Sequence, residues 1–134
     1  MNDSTTPLSQ LRRRMASFVA RRQWQKFHQP KNLAMSLAIE AAELMELFQW
    51  LTPAQAQAQL RKPAFKAEVA DEMSDVLAFL LSLANRLDLD LSAAFEDKMA
   101  RTELKYPPAK FRGRYVRPRR DKPPAPGKTA GRRS

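Results

Sequence analysis

Apolar residues recur along this chain at intervals of three and four positions, which is the spacing of one face of an α-helix. Four long segments follow this pattern, running approximately over residues 8–26, 32–51, 63–87 and 90–105. A short helix or turn is predicted over residues 53–60, because Thr52 is a good N-cap and Pro53 suits the first helical position. The pattern therefore predicts an all-α fold in which four main helices with short connections form a bundle.

A carboxylate interrupts the apolar stripe of the second predicted helix. At 100° per residue, Glu40 lies within roughly 60° of the stripe's leucines, which are Leu33, Leu37, Leu44, Leu47 and Leu51. Burial of a carboxylate is costly unless a partner compensates its charge. Glu43 follows three positions later and lies on the same helix face as Glu40.

The third predicted helix repeats this spacing with Glu72 and Asp75, and 28 residues separate Glu43 from Glu72. Antiparallel packing of the two helices would bring the pairs face to face, and repelling carboxylates placed together favour a bound cation. Four carboxylates without a thiol suit Mg²⁺, with Mn²⁺ as a possible substitute. The alternative is a solvated acidic surface, which is the better interpretation for a single such pair.

Composition divides the chain into a helical body and a basic tail. The net charge is +10, yet residues 1–104 hold equal numbers of basic and acidic residues, and residues 105–134 hold 11 Lys/Arg and one acid, Asp121. All three glycines and six of the ten prolines also lie in this last stretch. We expect a polar leader over residues 1–7, one domain over residues 8–108 and a disordered tail over residues 109–134.

Several classes of protein are excluded or disfavoured by residues that the chain lacks. It has no cysteine and one histidine, His28, so thiolate sites and histidine-rich zinc sites are excluded. No apolar run approaches the ~18 residues of a membrane span, so no membrane partner is expected. A cytoplasmic location is the resulting expectation.

Four separated motifs resemble the MazG-like all-α nucleoside triphosphate pyrophosphohydrolases, in particular the dCTP pyrophosphatase branch. The motifs are RRQWQKFHQPKNL (residues 21–33), EAAELMELFQW (40–50), DEMSDVL (71–77) and KMARTELKYP (98–107). They agree with the family in order and spacing, and the resemblance covers about residues 8–110.

The resemblance implies a bundle-like MazG fold and Mg²⁺-dependent hydrolysis of a nucleoside triphosphate, such as dCTP, to a monophosphate and pyrophosphate. This reaction would cleanse the nucleotide pool. Glu40, Glu43, Glu72 and Asp75 would be the catalytic metal ligands. The resemblance also implies a homo-oligomer, a dimer or tetramer in which neighbouring subunits complete the active site.

Five further residues are candidates for binding the substrate: Trp24, His28, Trp50, Lys98 and Tyr106. The two tryptophans would stack on the base and Lys98 would contact phosphate. Each has a structural alternative: the tryptophans as core or interface residues, His28 as a pocket wall, and Tyr106 as an anchor for the end of a helix.

A second function class follows from the tail alone. Its excess of Lys/Arg predicts weak, non-specific binding to nucleic acid, and on this alternative the protein is a nucleic-acid-binding or scaffold protein. The acidic pairs of the body argue against this alternative, because they would repel a phosphate backbone.

Overall fold

A computed structural model describes residues 1–116, and the regular secondary structure of this part of the chain is helical, without a β-strand. Its α-helices are α1 (Leu8–Arg21), α2 (Pro30–Gln49), α3 (Pro53–Gln59), α4 (Pro63–Leu87), α5 (Leu91–Lys105) and α6 (Pro108–Phe111), and a 3₁₀ turn spans Trp24–Lys26. The prediction of an all-α fold is confirmed. None of the helices in these residues has the length and apolarity needed to cross a membrane.

Proline and capping residues set most of the helix boundaries. Pro30, Pro53 and Pro63 each occupy the first turn of a helix, where a missing N–H costs nothing. Pro30 was expected to precede α2 and instead begins it. Thr52 and Gln55 form a reciprocal capping box at the start of α3.

The first helix ends earlier than the predicted Lys26. After Arg21, Gln23 adopts a left-handed conformation with φ 54°, which few residues other than glycine favour. The chain then turns through the 3₁₀ segment toward α2. The sequence did not reveal this break, because neither glycine nor proline occurs in residues 8–29 to mark it.

α2 and α4 form an antiparallel pair. Near the start of α2, Arg86 Nη2 donates to Gln29 Oε1 at 3.4 Å, so the C-terminal end of α4 lies beside the N-terminal end of α2. At the opposite ends, the rings of Phe48 and Phe65 meet edge to face with centroids 5.6 Å apart. The two helices make the most extensive helix–helix contact in the described residues.

α1 packs on α4 through a reciprocal polar contact and a small apolar core. Arg12 Nε donates to Asn85 Oδ1, and Asn85 Nδ2 donates to the Arg12 carbonyl oxygen, both at 2.9 Å. The buried apolar residues of the described chain come from α1, α2 and α4: Val19, Leu33, Leu81 and Ala84. This core is small for a domain of this size.

The chain divides into two compact units, residues 1–94 and a second unit that begins at Phe95. In the first unit, Asp90 Oδ1 accepts from the backbone N–H groups of Ser92 and Ala93 and so caps α5. In the second, the rings of Tyr106 and Phe111 pack edge to face. The predicted tail begins within α6, residues 117–134 lie outside the described residues, and the predicted division into leader, domain and tail remains a prediction.

Candidate metal and nucleotide site

Three of the four predicted metal ligands meet between α2 and α4. Glu40, Glu43 and Glu72 each offer a carboxylate oxygen, and these oxygens all lie within 4.8 Å of one another. Glu40 and Glu43 are one turn apart on α2, and the antiparallel packing of α4 places Glu72 opposite them. We call these three residues the acidic cluster.

Glu72 carries an oxygen without a partner. Glu72 is half-buried, and its Oε2 is the one buried side-chain nitrogen or oxygen in residues 1–116 that makes no hydrogen bond. A buried oxygen of this kind usually marks an ion, a water or a site of strain.

Burial and mutual repulsion disfavour ionisation of the cluster. Burial raises the pKa of Glu40 above its usual value, and the charges of Glu43, Asp75 and Glu72 raise it further. Burial likewise raises the pKa of Glu72, with added repulsion from Glu43, Asp75 and Asp71. A positive charge placed among these carboxylates would favour their ionised forms and so lower the pKa of both Glu40 and Glu72.

Asp75, the fourth predicted ligand, is exposed and lies outside the group of oxygens within 4.8 Å. Its charge nevertheless acts on both Glu40 and Glu72, so it is a near neighbour of the cluster.

The donor set of the acidic cluster fits a hard divalent cation. Carboxylate oxygens are the ligands that Mg²⁺ and Mn²⁺ prefer, and neither histidine nor thiol is present to select a softer metal. The unpartnered Glu72 Oε2 gives such an ion a buried ligand that has no competing hydrogen bond.

Trp24 follows the left-handed Gln23 and packs beside α1. Its ring meets Phe18 edge to face with centroids 5.8 Å apart. The Arg22 guanidinium carbon lies 3.7 Å from the centroid of Phe18 and 5.8 Å from that of Trp24, distances typical of a cation–π contact. Trp24 remains 42% exposed, so part of its ring is open to a ligand.

Trp50 and His28 lie in different surroundings. Trp50, at the C-terminal end of α2, is 85% exposed. His28 follows the 3₁₀ turn and lines a cavity between α1 and α4. Lys98 and Tyr106 belong to the second unit, where Lys98 is exposed and Lys105 Nζ lies 5.4 Å from the Tyr106 ring centroid. The substrate contacts of all five predicted binding residues remain predictions.

The sequence interpretation missed the polar residues of the α1–α4 cavity. Gln25, Ser82 and Asn85 line it together with His28. Gln25 and His28 share the motif of residues 21–33, but no motif links them to Ser82 and Asn85. The two pairs become neighbours only through the packing of α1 and the 3₁₀ turn on α4.

Comparison with known proteins agrees with this geometry. The sequence profile of the MazG-like family matches residues 35–114. The chain is 42% identical over 106 residues to dCTP pyrophosphatase 1 of Rattus norvegicus, covering 79% of this chain and 62% of that protein. It is 43% identical over 100 residues to dCTP pyrophosphatase 1 of Homo sapiens, covering 75% and 59%. The chain thus spans less than two thirds of the length of these relatives.

A solved structure supports the fold independently. The crystal structure of a pyrophosphatase from Archaeoglobus fulgidus superposes with a TM-score of 0.69 at 36% identity, covering 80% of this chain and 98% of that one. The profile match takes in most of α2, the whole of α4 and all the residues of the acidic cluster. With more than half of its length matched in this way, the chain belongs to the MazG-like family.

Proposed function

We propose that this protein is a Mg²⁺-dependent nucleoside triphosphate pyrophosphohydrolase. It would cleave the bond between the α- and β-phosphates and release a nucleoside monophosphate and pyrophosphate. The observation that carries the proposal is the acidic cluster, in which three carboxylates converge and one buried oxygen has no partner. The names of the rat and human relatives and of the archaeal structure agree with this reaction.

Glu40, Glu43 and Glu72 would hold the metal, with Asp75 as a fourth ligand from the next turn of α4. A bound Mg²⁺ supplies positive charge that offsets the repulsion between these carboxylates and a triphosphate. Their placement on two packed helices fixes the carboxylates relative to one another. One phosphorus atom of the α–β bond gains the oxygen of a water molecule, the other keeps the former bridging oxygen, and a proton is released.

The proposed substrate is a deoxynucleoside triphosphate of the dCTP type. Support comes from the mammalian relatives named dCTP pyrophosphatase 1 and from the partly open ring of Trp24, since stacking on an aromatic ring is worth ~1–3 kcal/mol per base. The reaction would remove unwanted nucleotides from the pool. A cytoplasmic location, where free nucleotides are found, remains a prediction.

We also propose a homo-oligomer, a dimer or tetramer. α2 and α4 together leave large apolar side chains more than half exposed, which are Met35, Ile39, Met45, Trp50 and Met73. Monomeric proteins rarely expose so much apolar surface without a partner. Sedimentation equilibrium checks this proposal, and a strictly monomeric protein at all concentrations contradicts it.

Nucleic acid is a weaker proposed partner. Arg112, Arg114 and Tyr115 are exposed on the described part of the basic segment, a combination of cations and an aromatic ring that suits single strands. This binding would be secondary to catalysis.

A panel of ribo- and deoxynucleoside triphosphates tests the main proposal. Each is incubated with and without Mg²⁺, and pyrophosphate and phosphate release are measured separately. We expect pyrophosphate and monophosphate from at least one deoxynucleotide, only when Mg²⁺ is present. Release of phosphate alone, or no turnover of any triphosphate, would contradict the proposal.

A further inference from the structure

A cavity of about 320 Å³ lies between α1, the 3₁₀ turn and α4. Its size falls within the range of small-molecule sites in proteins. Met15 and Val19 of α1 form an apolar wall, and polar atoms come from Gln25, His28, Ser82 and the charged Arg86. A few polar groups in a mainly apolar space are typical of small-molecule sites, where the polar groups fix the orientation of the ligand.

Ser82 is the most buried polar residue of this cavity, with 6% of its surface exposed. Its hydroxyl makes no hydrogen bond within residues 1–116, whereas the hydroxyl of Ser74 on the same helix donates to the Ala70 carbonyl oxygen at 2.7 Å. The Ser82 oxygen is also not completely buried, because Glu72 Oε2 is the one buried side-chain nitrogen or oxygen without a hydrogen bond in residues 1–116. The hydroxyl therefore faces the open space of the cavity with its hydrogen-bonding capacity unused.

The neighbouring amide, Asn85, is already engaged. Its side-chain oxygen and nitrogen bind the Arg12 side chain and backbone, respectively, at 2.9 Å. Asn85 thus fixes the wall of the cavity, and Ser82 is left to contact a ligand.

The cavity lies along α4 from the carboxylates. Ser82 follows Asp75 by seven residues, which is two turns or about 10 Å along the helix axis, and lies within about 20° of it around the helix. An extended nucleotide spans a comparable length from its phosphates to its base. A triphosphate held at the acidic cluster would therefore reach the cavity with its base.

We infer that the α1–α4 cavity receives the nucleobase of the substrate and that Ser82 is a specificity-determining residue, its hydroxyl bonding a polar edge of the base. This inference rests on the proposed function for the identity of the ligand. The α1–α4 cavity would then select the base, in addition to any stacking of the base on the tryptophans.

The first experiment compares Ser82→Ala with Ser17→Ala, an equivalent change at an exposed position of α1. Removal of one hydrogen bond should lower kcat/KM for the preferred triphosphate by about three- to tenfold, mainly through KM. For triphosphates whose base does not bond the hydroxyl, kcat/KM should change by less than about twofold. The ratio of kcat/KM between the preferred triphosphate and the others should therefore fall. Ser17→Ala should leave the ranking intact. An unchanged base ranking in a folded Ser82→Ala variant would overturn the inference.

A binding measurement keeps the inference testable without turnover. Methionine methyl groups are labelled with ¹³C, and NMR spectra are recorded with dCMP or with inorganic pyrophosphate, both without metal. We expect dCMP to shift the Met15 methyl signal and pyrophosphate to leave it in place, with the exposed Met73 as the reference on α4.

Failure of the two proposals can be told apart. If no triphosphate is hydrolysed but dCMP still shifts Met15, the proposed function is wrong and the cavity remains a nucleoside site. If hydrolysis occurs while dCMP leaves Met15 unchanged, the cavity assignment is wrong and the proposed function is unaffected.

Discussion

Glu72 destabilises the metal-free fold and is at the same time a proposed ligand of the metal. It is half-buried, it has an oxygen without a partner, and burial together with three acidic neighbours raises its pKa. In a metal-free protein these features are a cost that the fold must offset. Strained and unpaired groups of this kind concentrate at functional sites, and this is the physical reason to place the ligand here.

Replacement of Glu72 by glutamine should stabilise the metal-free protein. Glu72→Gln keeps the shape of the side chain and removes one charge from the acidic cluster, so we expect a higher Tm in buffer containing a chelator. Glu46→Gln is the matched control, because Glu46 is exposed on α2 outside the cluster and its replacement should leave Tm nearly unchanged. A lower Tm for Glu72→Gln alone would show that the carboxylate has a stabilising partner.

The raised pKa values of Glu40 and Glu72 predict a specific pH dependence. When folding raises the pKa of an acid, the folded state holds its proton longer than the unfolded state, so the contribution to stability falls as pH rises from about 4.3 through the raised folded value. The free energy of unfolding of metal-free wild type, relative to Glu72→Gln, should therefore decrease across that range.

Urea titrations of both proteins at a series of pH values measure this difference. Glu46→Gln again serves as the control for loss of an exposed carboxylate outside the acidic cluster. A wild-type advantage that grows with pH would contradict the repulsion that we describe.

Single residues could be predicted where chemistry and spacing agree. The acid at position 40 stood out because it lies in an apolar stripe, and the structure brings it together with Glu43 and Glu72. Ser82 carried no such signal, since an isolated serine is common on any helix. Its neighbours in the cavity come from α1 and the 3₁₀ turn and appear only after packing.

At the scale of elements, the α2–α4 pair builds the cluster and the segment between them sets its register. α3 lies in that connection, and its capping box joins Thr52 and Gln55: Gln55 N donates to Thr52 Oγ1 at 3.3 Å, and Thr52 N donates to Gln55 Oε1 at 2.8 Å. This short helix depends on its cap, because isolated helices of such length are unstable.

Loss of the cap should therefore destabilise the protein without changing its chemistry. We expect Thr52→Ala to reduce the free energy of unfolding by about 1 kcal/mol, measured by urea denaturation. Gln57→Ala, at an exposed interior position of α3, should change it far less. Equal effects of the two substitutions would show that the cap does not stabilise this connection.

Most helices could be predicted from the sequence, and the exceptions are the end of α1 and the four-residue α6, which lies where the tail was expected to begin. Proline and apolar spacing gave α4 the bounds that the structure has, Pro63–Leu87. α1 ends early because Gln23 adopts a left-handed conformation, a choice that spacing does not encode. The antiparallel pairing of α2 and α4 was expected from the matched acidic spacings, whereas the cavity beside α1 was not.

At the scale of the whole molecule, charge is distributed very unevenly. Residues 117–134 hold seven Lys/Arg and one acid, and their deletion lowers the net charge from +10 to +4. The family match ends at residue 114, so this segment lies beyond the matched region. Function of the body and charge of the tail can therefore be tested separately.

Deletion of residues 117–134 should leave turnover at physiological salt nearly unchanged, because charges are screened over ~8 Å. Binding to poly(dT) should weaken strongly, and the remaining binding should depend less steeply on salt. Fluorescence anisotropy measures the binding and pyrophosphate release measures the turnover. A full-length variant with the seven Lys/Arg of residues 117–134 replaced by serine is the control for length. Loss of turnover in both proteins would show that this segment contributes to catalysis.

The most direct test of the central claim is Mg²⁺-dependent pyrophosphate release from dCTP by four proteins: wild type, Glu40→Gln, Asp75→Asn and the control Glu46→Gln. Loss of a group that merely supports a metal ligand costs about 10- to 100-fold, so loss of a ligand should cost about a hundredfold or more. We predict this loss for Glu40→Gln and Asp75→Asn, both folded by circular dichroism, and near wild-type rates for Glu46→Gln. Wild-type pyrophosphate release by folded Glu40→Gln would contradict the assignment of the acidic cluster as the catalytic metal site.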